Sequence, residues 1–333
     1  MASPGQSTLF TVFTELVTTT FRNHKKSIAD NVSEHNALFR RLTQKGRIRR
    51  EDGGLSIVEP LDYAENSTYQ RYSGYDPLNT TASDVLSAAE FPWRQQAVNV
   101  TASGLEIRSN SGENRIINLI KARINTAKRT LANNLSEDFY SSGSLTNQIG
   151  GLQLLISDTG AGTVGGIDST TGVFDFWQNI VQSAASPLQG GGAITPSASA
   201  GVMDSLMLPL YLRTTRGADV VDLIVSSENY FTYFENSQAA LKRYAPEDSG
   251  RGGMISMKYK NADVFYDSAA SGISDSHMYF INSDYLSLVV HKDADMEIMP
   301  EMRAINQDAI VIPIIHQCNL TISNRKRQGV LKA

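Results

Sequence analysis

Cysteine and long hydrophobic runs are both scarce in this sequence. Its 333 residues include a single cysteine, Cys318, which excludes an intrachain disulfide and is typical of a reducing compartment. We expect Cys318 to be a small buried apolar residue. No apolar run reaches the roughly 18 residues of a membrane span, and the first residues do not resemble a signal peptide. We therefore expect neither a disulfide scaffold nor a membrane partner.

Residues arranged for catalysis or metal binding are also missing. The histidines are scattered, without H-E-x-x-H or a comparable ligand spacing. There is no G-x-S-x-G elbow, and Cys318 lies too close to His316 in sequence for a usual nucleophile–base dyad. We therefore expect no enzyme, no catalytic residue, no metal and no cofactor. The histidines are His24, His35, His277, His291 and His316.

One glycine-rich stretch matches a nucleotide-binding pattern. Gly160, Gly162 and Gly165 fit G-x-G-x-x-G. In dinucleotide-binding proteins this pattern opens a helix, and an acidic residue ends a second strand about twenty residues later. Residues 168–172 do not begin an amphipathic helix, and Pro187 stands near the place where the acid is needed. We therefore expect no nucleotide site.

Three acidic residues, Asp293, Asp295 and Glu297, alternate in the last part of the chain. On a strand they would share one face, because alternate residues of a strand point the same way. A cation site is one interpretation. Without a glycine or a loop-like context, we favour a solvated strand face.

Charge is unevenly distributed along the chain. The net charge is −4, but residues 1–50 hold nine Lys/Arg and three acids, so they carry +6 and the remainder carries −10. This basic segment can contact nucleic acid, contact an acidic neighbouring subunit or form a solvated face. We favour a neighbouring subunit over the genome, because a helical arm needs a surface to order it. The densest cations are Arg40, Arg41, Lys45, Arg47, Arg49 and Arg50.

A long amphipathic helix is predicted over residues 110–143. Asn110 is a favourable N-cap, Glu113 stands at the capping-box position, and no proline interrupts the segment. At 1.5 Å per residue it would be about 40–45 Å long, which suits a strut. Its apolar residues recur at spacings of three and four and form one stripe. They are Ile116, Ile120, Ile124, Ala127, Leu131, Leu135 and Phe139.

Two segments before this helix have little apolar mass of their own. Residues 8–43 are predicted to form a helical arm that packs on something else. Residues 53–104 form a long excursion, with a strand at 53–60 and its returning partner at 96–107; such excursions usually make functional or intermolecular contacts. We expect the basic segment and the aromatic residues of the excursion to contact a neighbouring subunit. The expected contacts are Arg47, Arg49, Arg50, Tyr69, Tyr72, Tyr75 and Trp93.

The second half of the chain alternates strands and helices. We expect buried strands at 152–157 and 220–225, a helix at 197–215 despite Pro209, and a helix from 226 to about 244. With 41% hydrophobic and 19% charged residues, the composition is that of a globular protein. Late strands come in runs, so we predict an α+β fold. Those strands are expected at 254–259, 263–266, 278–281 and 286–290, and an apolar run follows at 309–315.

Three short sequence motifs follow one another along the chain in a characteristic order. The first is Ile149-Gly150-Gly151-Leu152, followed by residues 162–168 and Phe176-Trp177-Gln178-Asn179; the second is Asp222-Leu223-Ile224 before Tyr230; the third is Asn319-Leu320 with residues 323–329. Together with the arm, excursion and strut, they resemble the major capsid proteins of tailed bacteriophages, which have the Hong Kong 97 fold. Each motif alone is weak. The order of the motifs along nearly the whole chain carries the resemblance.

The resemblance implies a division into four parts. Residues 1–52 would be an N-terminal arm, and 53–105 an E-loop that reaches over a neighbouring subunit. Residues 106–150 would carry the spine helix of a P-domain, completed by strands near 287–312. Residues 151–286, completed by 313–333, would form an A-domain at the five- and six-fold centres. The N-terminal region is shorter than the scaffolding domain that some relatives carry there, so a separate scaffolding protein is expected.

The resemblance also implies a structural function. The chain would assemble with itself into pentamers and hexamers of an icosahedral head in the virion, formed in the host cytoplasm. Further partners would be a scaffolding protein, a portal, decoration proteins and packaged double-stranded DNA. A mildly acidic body suits a container that must not bind its DNA tightly. Two alternatives stay open: the shell of an encapsulin-type compartment, which shares the fold, and an α/β enzyme of another fold.

Overall fold

The structure is a computed structural model that describes residues 37–109, 119–172, 174–183, 206–238, 256–268, 271–303 and 305–332. Its helices are α1 (Ala37–Gln44), α2 (Gly104–Ser109), α3 (Leu119–Asp138), α4 (Leu152–Leu155), α5 (Leu208–Thr214) and α6 (Glu228–Gln238). Its strands are β1 (Ile48–Glu51), β2 (Ser56–Asp62), β3 (Leu86–Pro92), β4 (Arg94–Ser103), β5 (Thr163–Val164), β6 (Ile167–Asp168), β7 (Ile180–Gln182), β8 (Leu223–Ser226), β9 (Ser256–Tyr259), β10 (Ala262–Tyr266), β11 (His277–Ile281), β12 (Leu286–His291), β13 (Glu297–Ile298), β14 (Met302–Arg303), β15 (Ala309–Ile322) and β16 (Gly329–Lys332). None of the helices in the described ranges is long and apolar enough to cross a membrane.

The chain divides into two units, and the first contains the described residues of 95–135 and 293–317. Strands β4, β13 and β14 pair with β15, and α3 packs against this sheet. A bidentate ion pair fixes α2 to α3, because both terminal nitrogens of Arg123 lie 3.0 Å from the carboxylate oxygens of Glu106. The Arg123 guanidinium lowers the pKa of Glu106. The apolar core of this unit comprises Val98, Val100, Ile120, Ile124, Ala127, Ile310, Ile312 and Ile314.

The predicted apolar stripe of α3 is confirmed from Ile120 onward. Ala127, Leu131 and Leu135 are buried on it. The helix has 20 residues, about 30 Å, and residues 110–118 of the predicted strut lie outside the described ranges. It ends at Asp138 rather than at residue 143. The chain turns there because the Ser141 amide donates to the Asp138 carbonyl (3.1 Å), three residues back.

The second unit contains the described residues within 36–94, 136–292 and 318–333. Its main sheet has the strand order β7-β16-β11-β8-β10-β9, and α5 and α6 cover the buried strands. Beside it, β1 runs parallel to β12, and β12 runs antiparallel to the last residues of β15. The strand predictions for β8 to β12 are confirmed. The apolar core includes Leu210, Val221, Ile224, Phe234, Met257, Val264, Met278, Phe280 and Leu331.

Helix α1 is the described end of the predicted arm. Ala37, Leu38 and Leu42 are buried in the second unit, and the Phe39 ring stacks on Phe139 with centroids 5.9 Å apart. The helical prediction for residues 8–43 is therefore confirmed from Ala37, and residues 1–36 lie outside the described ranges. Similarly, the predicted helices at 197–215 and 226–244 are confirmed over α5 and α6, and residues 197–205 and 239–244 lie outside the described ranges.

Two predictions of strands in these segments are wrong. The strand that pairs with β2 is β3, whereas most of the expected segment 96–107 forms β4 on another sheet. Both segments alternate between buried and exposed residues, so either could have been the partner from its sequence alone. Residues 152–155 form the helix α4 instead of a strand, because the Leu155 amide donates to the Gly151 carbonyl (3.0 Å). A short apolar run cannot distinguish these two conformations. Its burial is as expected.

The acidic residues at 293, 295 and 297 do not share a strand face. Residues Lys292–Ala294 form a 3₁₀ turn, and Met296 has a positive φ of 53°, so the alternation is broken before β13 begins. The three acidic side chains are exposed, as a solvated surface requires, but the expected strand is wrong. Cys318 is fully buried, which confirms the expectation for its thiol.

Replacing Leu131 by Asp should destabilise the protein by on the order of 3 kcal/mol, because an unpaired carboxylate would enter the apolar stripe of α3. Leu131 is 2% exposed. The neighbouring Ala132→Asp variant is the control, since Ala132 is exposed on the same helix. Urea unfolding of both variants measures the difference. Equal stabilities would show that the buried face of α3 has been assigned wrongly.

Candidate assembly interface

Strands β2 and β3 form a long antiparallel hairpin whose residues alternate between a buried and an exposed face. Seven residue pairs stay in register, from Ser56–Pro92 to Asp62–Leu86. Ile57, Glu59 and Leu61 of β2 are buried, and Ala89 and Phe91 of β3 are buried beside them. The opposite face is exposed, including Val58 and Leu86. The hairpin therefore packs on its own chain with one face only.

The base of the hairpin is fixed by a backbone contact with the β5–β6 turn. The Glu90 amide donates to the Gly165 carbonyl at 2.9 Å. Two features require glycine at position 165: its φ is +59°, and a Cβ there would lie 2.8 Å from Ala89 Cβ. The Tyr63 ring packs on Phe176 with centroids 5.7 Å apart. Sequence reasoning did not predict this attachment.

The glycine pattern thus has a structural role. Gly165 and Gly166 both have positive φ, 59° and 78°, and form the two-residue turn between β5 and β6. The Trp177 indole donates to the Val164 carbonyl (2.9 Å) and holds this small hairpin in place. A strand–turn–strand arrangement replaces the strand–turn–helix that dinucleotide binding requires.

The hairpin tip, residues 63–85, projects predicted contact residues into solvent. Tyr69 and Tyr72 are 78% and 65% exposed, and Tyr75 and the nearby Leu78 are exposed too. Large apolar side chains grouped on one protrusion are typical of a protein interaction site. Tyr69, Tyr72 and Tyr75 therefore share the tip, while the fourth predicted aromatic residue, Trp93, does not.

The tip is held in shape by its own polar groups. The side-chain amide of Gln70 donates to the Pro77 carbonyl (2.9 Å), and its carbonyl oxygen accepts from the Asn79 amide (3.2 Å). Ser67 and Ser83 join the two sides through their hydroxyls at 3.2 Å. A loop ordered in advance loses less conformational entropy when it binds.

Trp93 lies at the foot of the hairpin, half-buried. Its ring meets His291 edge-on, with centroids 5.6 Å apart. Nearby, the Asn319 side chain donates to the Pro92 carbonyl (2.8 Å). In the single chain Trp93 therefore packs within its own unit, and its contact with a neighbouring subunit stays a prediction.

The basic segment meets acidic residues of its own unit. Arg47 and Arg49, which were expected to contact a neighbouring subunit, both have ion-pair partners in the same chain, while Arg50 lies exposed on β1. The Glu59 side chain is only 8% exposed, so Arg49 neutralises a largely buried charge. The pairs are Arg41–Asp263 (3.3 Å), Lys45–Asp222 (2.8 Å), Arg47–Asp284 and Arg49–Glu59.

A buried carboxylate links α1 to the end of α3. Asp267 accepts hydrogen bonds from the Tyr140 hydroxyl and the Ser271 hydroxyl, both at 2.7 Å, and one from the Leu38 backbone. Burial raises the pKa of Asp267, and these hydrogen bonds oppose the shift. Burial and the Asp267 charge raise the pKa of Tyr140, so the phenol remains a donor.

Arg325, from the motif near the C-terminus, acts as an internal clamp. Its side chain is fully buried and donates to the carbonyls of Leu155 (2.8 Å) and Trp177 (2.7 Å) and to the Asn179 side chain (3.0 Å). Burial lowers the pKa of Arg325 to about 10, which leaves it charged at neutral pH. The motif therefore joins three separate stretches of the second unit.

One histidine–carboxylate pair lies in the second unit. His277 Nε2 is 2.9 Å from Asp158, and the Lys332 amine is 3.8 Å from the same carboxylate. The hydrogen bond from His277 lowers the pKa of Asp158. These contacts tie the ends of β11 and β16 to the loop after α4. Within the part of the chain that the structure describes, no three His, Cys, Asp or Glu side chains form a metal-binding group.

Solved structures with a similar fold are shell proteins. A chain titled as the capsid asymmetric unit of cyanophage A-1(L) matches with a TM-score of 0.60 at 14% identity, over 95% of this chain and 98% of that chain. This is the Hong Kong 97 fold. The capsid of an empty GTA particle matches with a TM-score of 0.58 at 11% identity, over 93% of this chain and 94% of that one. The SrpI encapsulin complex of Synechococcus elongatus PCC 7942 matches with a TM-score of 0.51 at 8% identity, over 92% and 91%.

These matches confirm the predicted α+β class and the capsid-type fold. They cover nearly the full length of both chains, so the similarity extends over the whole fold. No protein-family model and no curated protein matches the sequence. At 14% identity or less, the matches establish the fold.

Trypsin should cut the free subunit at Arg71 and spare Arg94. Arg71 is exposed on the tip, whereas Arg94 is half-buried at the start of β4. In assembled particles Arg71 should resist cleavage as well, because a neighbouring subunit would cover the tip. Mass spectrometry of timed digests identifies the cut, and Arg71→Gln, which removes the site, is the control. Equal resistance of Arg71 in free and assembled forms would mean that the tip is not covered by assembly.

Replacing Arg49 by Gln should destabilise the subunit by about 1–3 kcal/mol, because the buried Glu59 carboxylate loses its partner. Thermal unfolding at neutral pH measures the loss.

The matched control adds Glu59→Gln to Arg49→Gln, which removes the stranded charge. The double variant should recover most of the stability, since two neutral amides remain at the site. Destabilisation that persists unchanged in the double variant would show that the ion pair is not the cause.

Proposed function

We propose that this chain is a structural capsid protein of a tailed bacteriophage, which assembles into pentamers and hexamers of an icosahedral head around double-stranded DNA. The observation that carries the proposal is the ordered hairpin tip with its exposed tyrosines, on a chain with the fold of capsid proteins. Tip contacts between copies add adhesion without requiring a larger core in each subunit. The role is mechanical and needs no catalysis.

The four-part division fits this function. Residues 1–52 serve as the arm, whose described part contains α1 and β1. Residues 53–105 serve as the E-loop, with the base of its hairpin on its own chain and the tip on a neighbour. Residues 106–150 carry the spine helix α3, and strands near 287–312 complete the P-domain. Residues 151–286 with 313–333 form the A-domain at the symmetry centres.

The remaining partners follow from the container role. We propose that a separate scaffolding protein and a portal act during assembly in the host cytoplasm, and that decoration proteins can bind the finished shell. The excess negative charge of residues 51–333 limits adhesion to packaged DNA.

A compartment that stores protein is the second candidate, supported by the similarity to the SrpI encapsulin complex. The two candidates differ in cargo. Nuclease-protected DNA inside purified particles favours the phage head, and a packaged enzyme favours the compartment.

The purified protein should form closed shells or rings visible by negative-stain electron microscopy. Light scattering over a concentration series gives the assembled fraction. A triple variant, Tyr69→Ser with Tyr72→Ser and Tyr75→Ser, should remain folded by circular dichroism but assemble poorly, because it loses aromatic contact area. A wild-type protein that stays monomeric at all concentrations, with and without crowding agents, would contradict the proposed function.

A further inference from the structure

A cavity of about 360 Å³ opens between the root of the hairpin tip and the β5–β6 hairpin. Aromatic rings form one side of it: Phe174 meets Phe176 edge-on at 6.2 Å, and Tyr63 packs on Phe176 at 5.7 Å. Two carboxylates, Asp84 and Asp168, stand beside the rings, and no Lys or Arg is among its described lining residues. We call this cavity the aromatic–acidic pocket.

The pocket suits a cationic side chain. Aromatic faces attract cations, and a guanidinium can stack on a ring while its fork of donors reaches a carboxylate. The Thr170 amide and hydroxyl donate to Asp168 at 2.9 and 2.7 Å and lower the pKa of that carboxyl, so it is charged at neutral pH. Asp84 places a second carboxyl group in the same pocket.

The chain itself offers a matching cation on the hairpin tip. Arg71 is exposed, and among the described residues it has no ion-pair partner. The exposed rings of Tyr69 and Tyr72 flank it in sequence. Its neighbour Gln70 is held to Pro77 and Asn79, so the tip presents Arg71 from an ordered loop. The protruding tip therefore carries a cation and the pocket carries carboxylates, and both are present on every copy.

We propose that Arg71 of one copy inserts into the aromatic–acidic pocket of the next copy. Resting on the proposed function, this inference names the acceptor for the hairpin tip. The contact is head-to-tail, so each subunit gives one tip and receives one. Heterologous contacts of this kind close into rings when the rotation between copies allows it. A salt bridge inside an aromatic pocket also makes the contact specific, because a neighbour that is docked in another position leaves the charges unpaired.

Charge reversal tests the proposal. The tip variant is Arg71→Glu, and the pocket variant is Asp84→Lys with Asp168→Asn, which keeps an acceptor for the Thr170 bonds. Each variant alone should reduce the assembled fraction by about tenfold or more at a fixed concentration, measured by sedimentation and electron microscopy. Co-expression of the two variants should restore hexamers, because in an alternating six-membered ring every reversed tip meets a reversed pocket; a five-membered ring cannot alternate, so hexamers are the species that is scored.

A single chain that carries all three substitutions should also assemble. Arg213→Glu, the same charge change at an exposed arginine of α5, should assemble like the wild type. Circular dichroism and thermal unfolding check that Arg71→Glu keeps the fold.

The outcomes separate this proposal from the proposed function. Normal particles from the tip variant overturn the pocket contact while leaving the shell function intact. Rescue in the combined single chain without rescue of hexamers by co-expression places the contact inside one copy and also overturns it. A wild-type protein that does not assemble contradicts the proposed function itself, and the pocket contact falls with it.

Discussion

A two-stranded hairpin is marginally stable in water, so the β2–β3 hairpin depends on the surface to which its base is attached. The hydrogen bond from Glu90 to Gly165 and the burial of Ile57 and Phe91 supply that surface. These contacts order the base of the hairpin, and the tip extends beyond the attached part. The tip keeps its shape through internal hydrogen bonds, but nothing among the described residues of its own chain covers Tyr69, Tyr72 and Tyr75. The chain therefore carries a protrusion whose large aromatic side chains are exposed to solvent in the single subunit.

The charge asymmetry of the sequence acts largely inside the subunit. Positive residues in α1 and directly after it lie against carboxylates of the acidic body, so the end of the arm is joined to its own unit by attraction as well as by buried leucines. Arg49 and Glu59 form the most consequential of these pairs, because Glu59 is the most deeply buried of the acids involved. Pairing within the chain reduces the positive charge that remains to contact nucleic acid. The arginine contacts expected with a neighbouring subunit stay predictions beside these internal pairs.

Sequence periodicity predicted the parts that depend on local patterns. The stripe of α3 was identified because its apolar residues repeat at helical spacing over many turns, and β8 to β12 because short branched and aromatic runs end at turn residues. The partner of β2 was missed because β3 and β4 both alternate, and only contacts distant in sequence select between them. A strand was predicted at 152–157 because so short an apolar segment shows no clear period. The ion-pair partners of Arg47 and Arg49 were not predictable, since Asp284 is 237 residues away from Arg47 and Glu59 faces Arg49 only once β1 and β2 have formed.

The central claim is that this fold is completed between copies. A cryo-electron microscopy reconstruction of the purified particle tests it most directly. The account predicts a closed shell in which residues 63–85 of each subunit lie on an adjacent subunit, with Tyr69, Tyr72 and Tyr75 covered. A particle in which the tips remain solvent-exposed, or a protein that yields no particle and keeps the tip uncovered as a monomer, would contradict it.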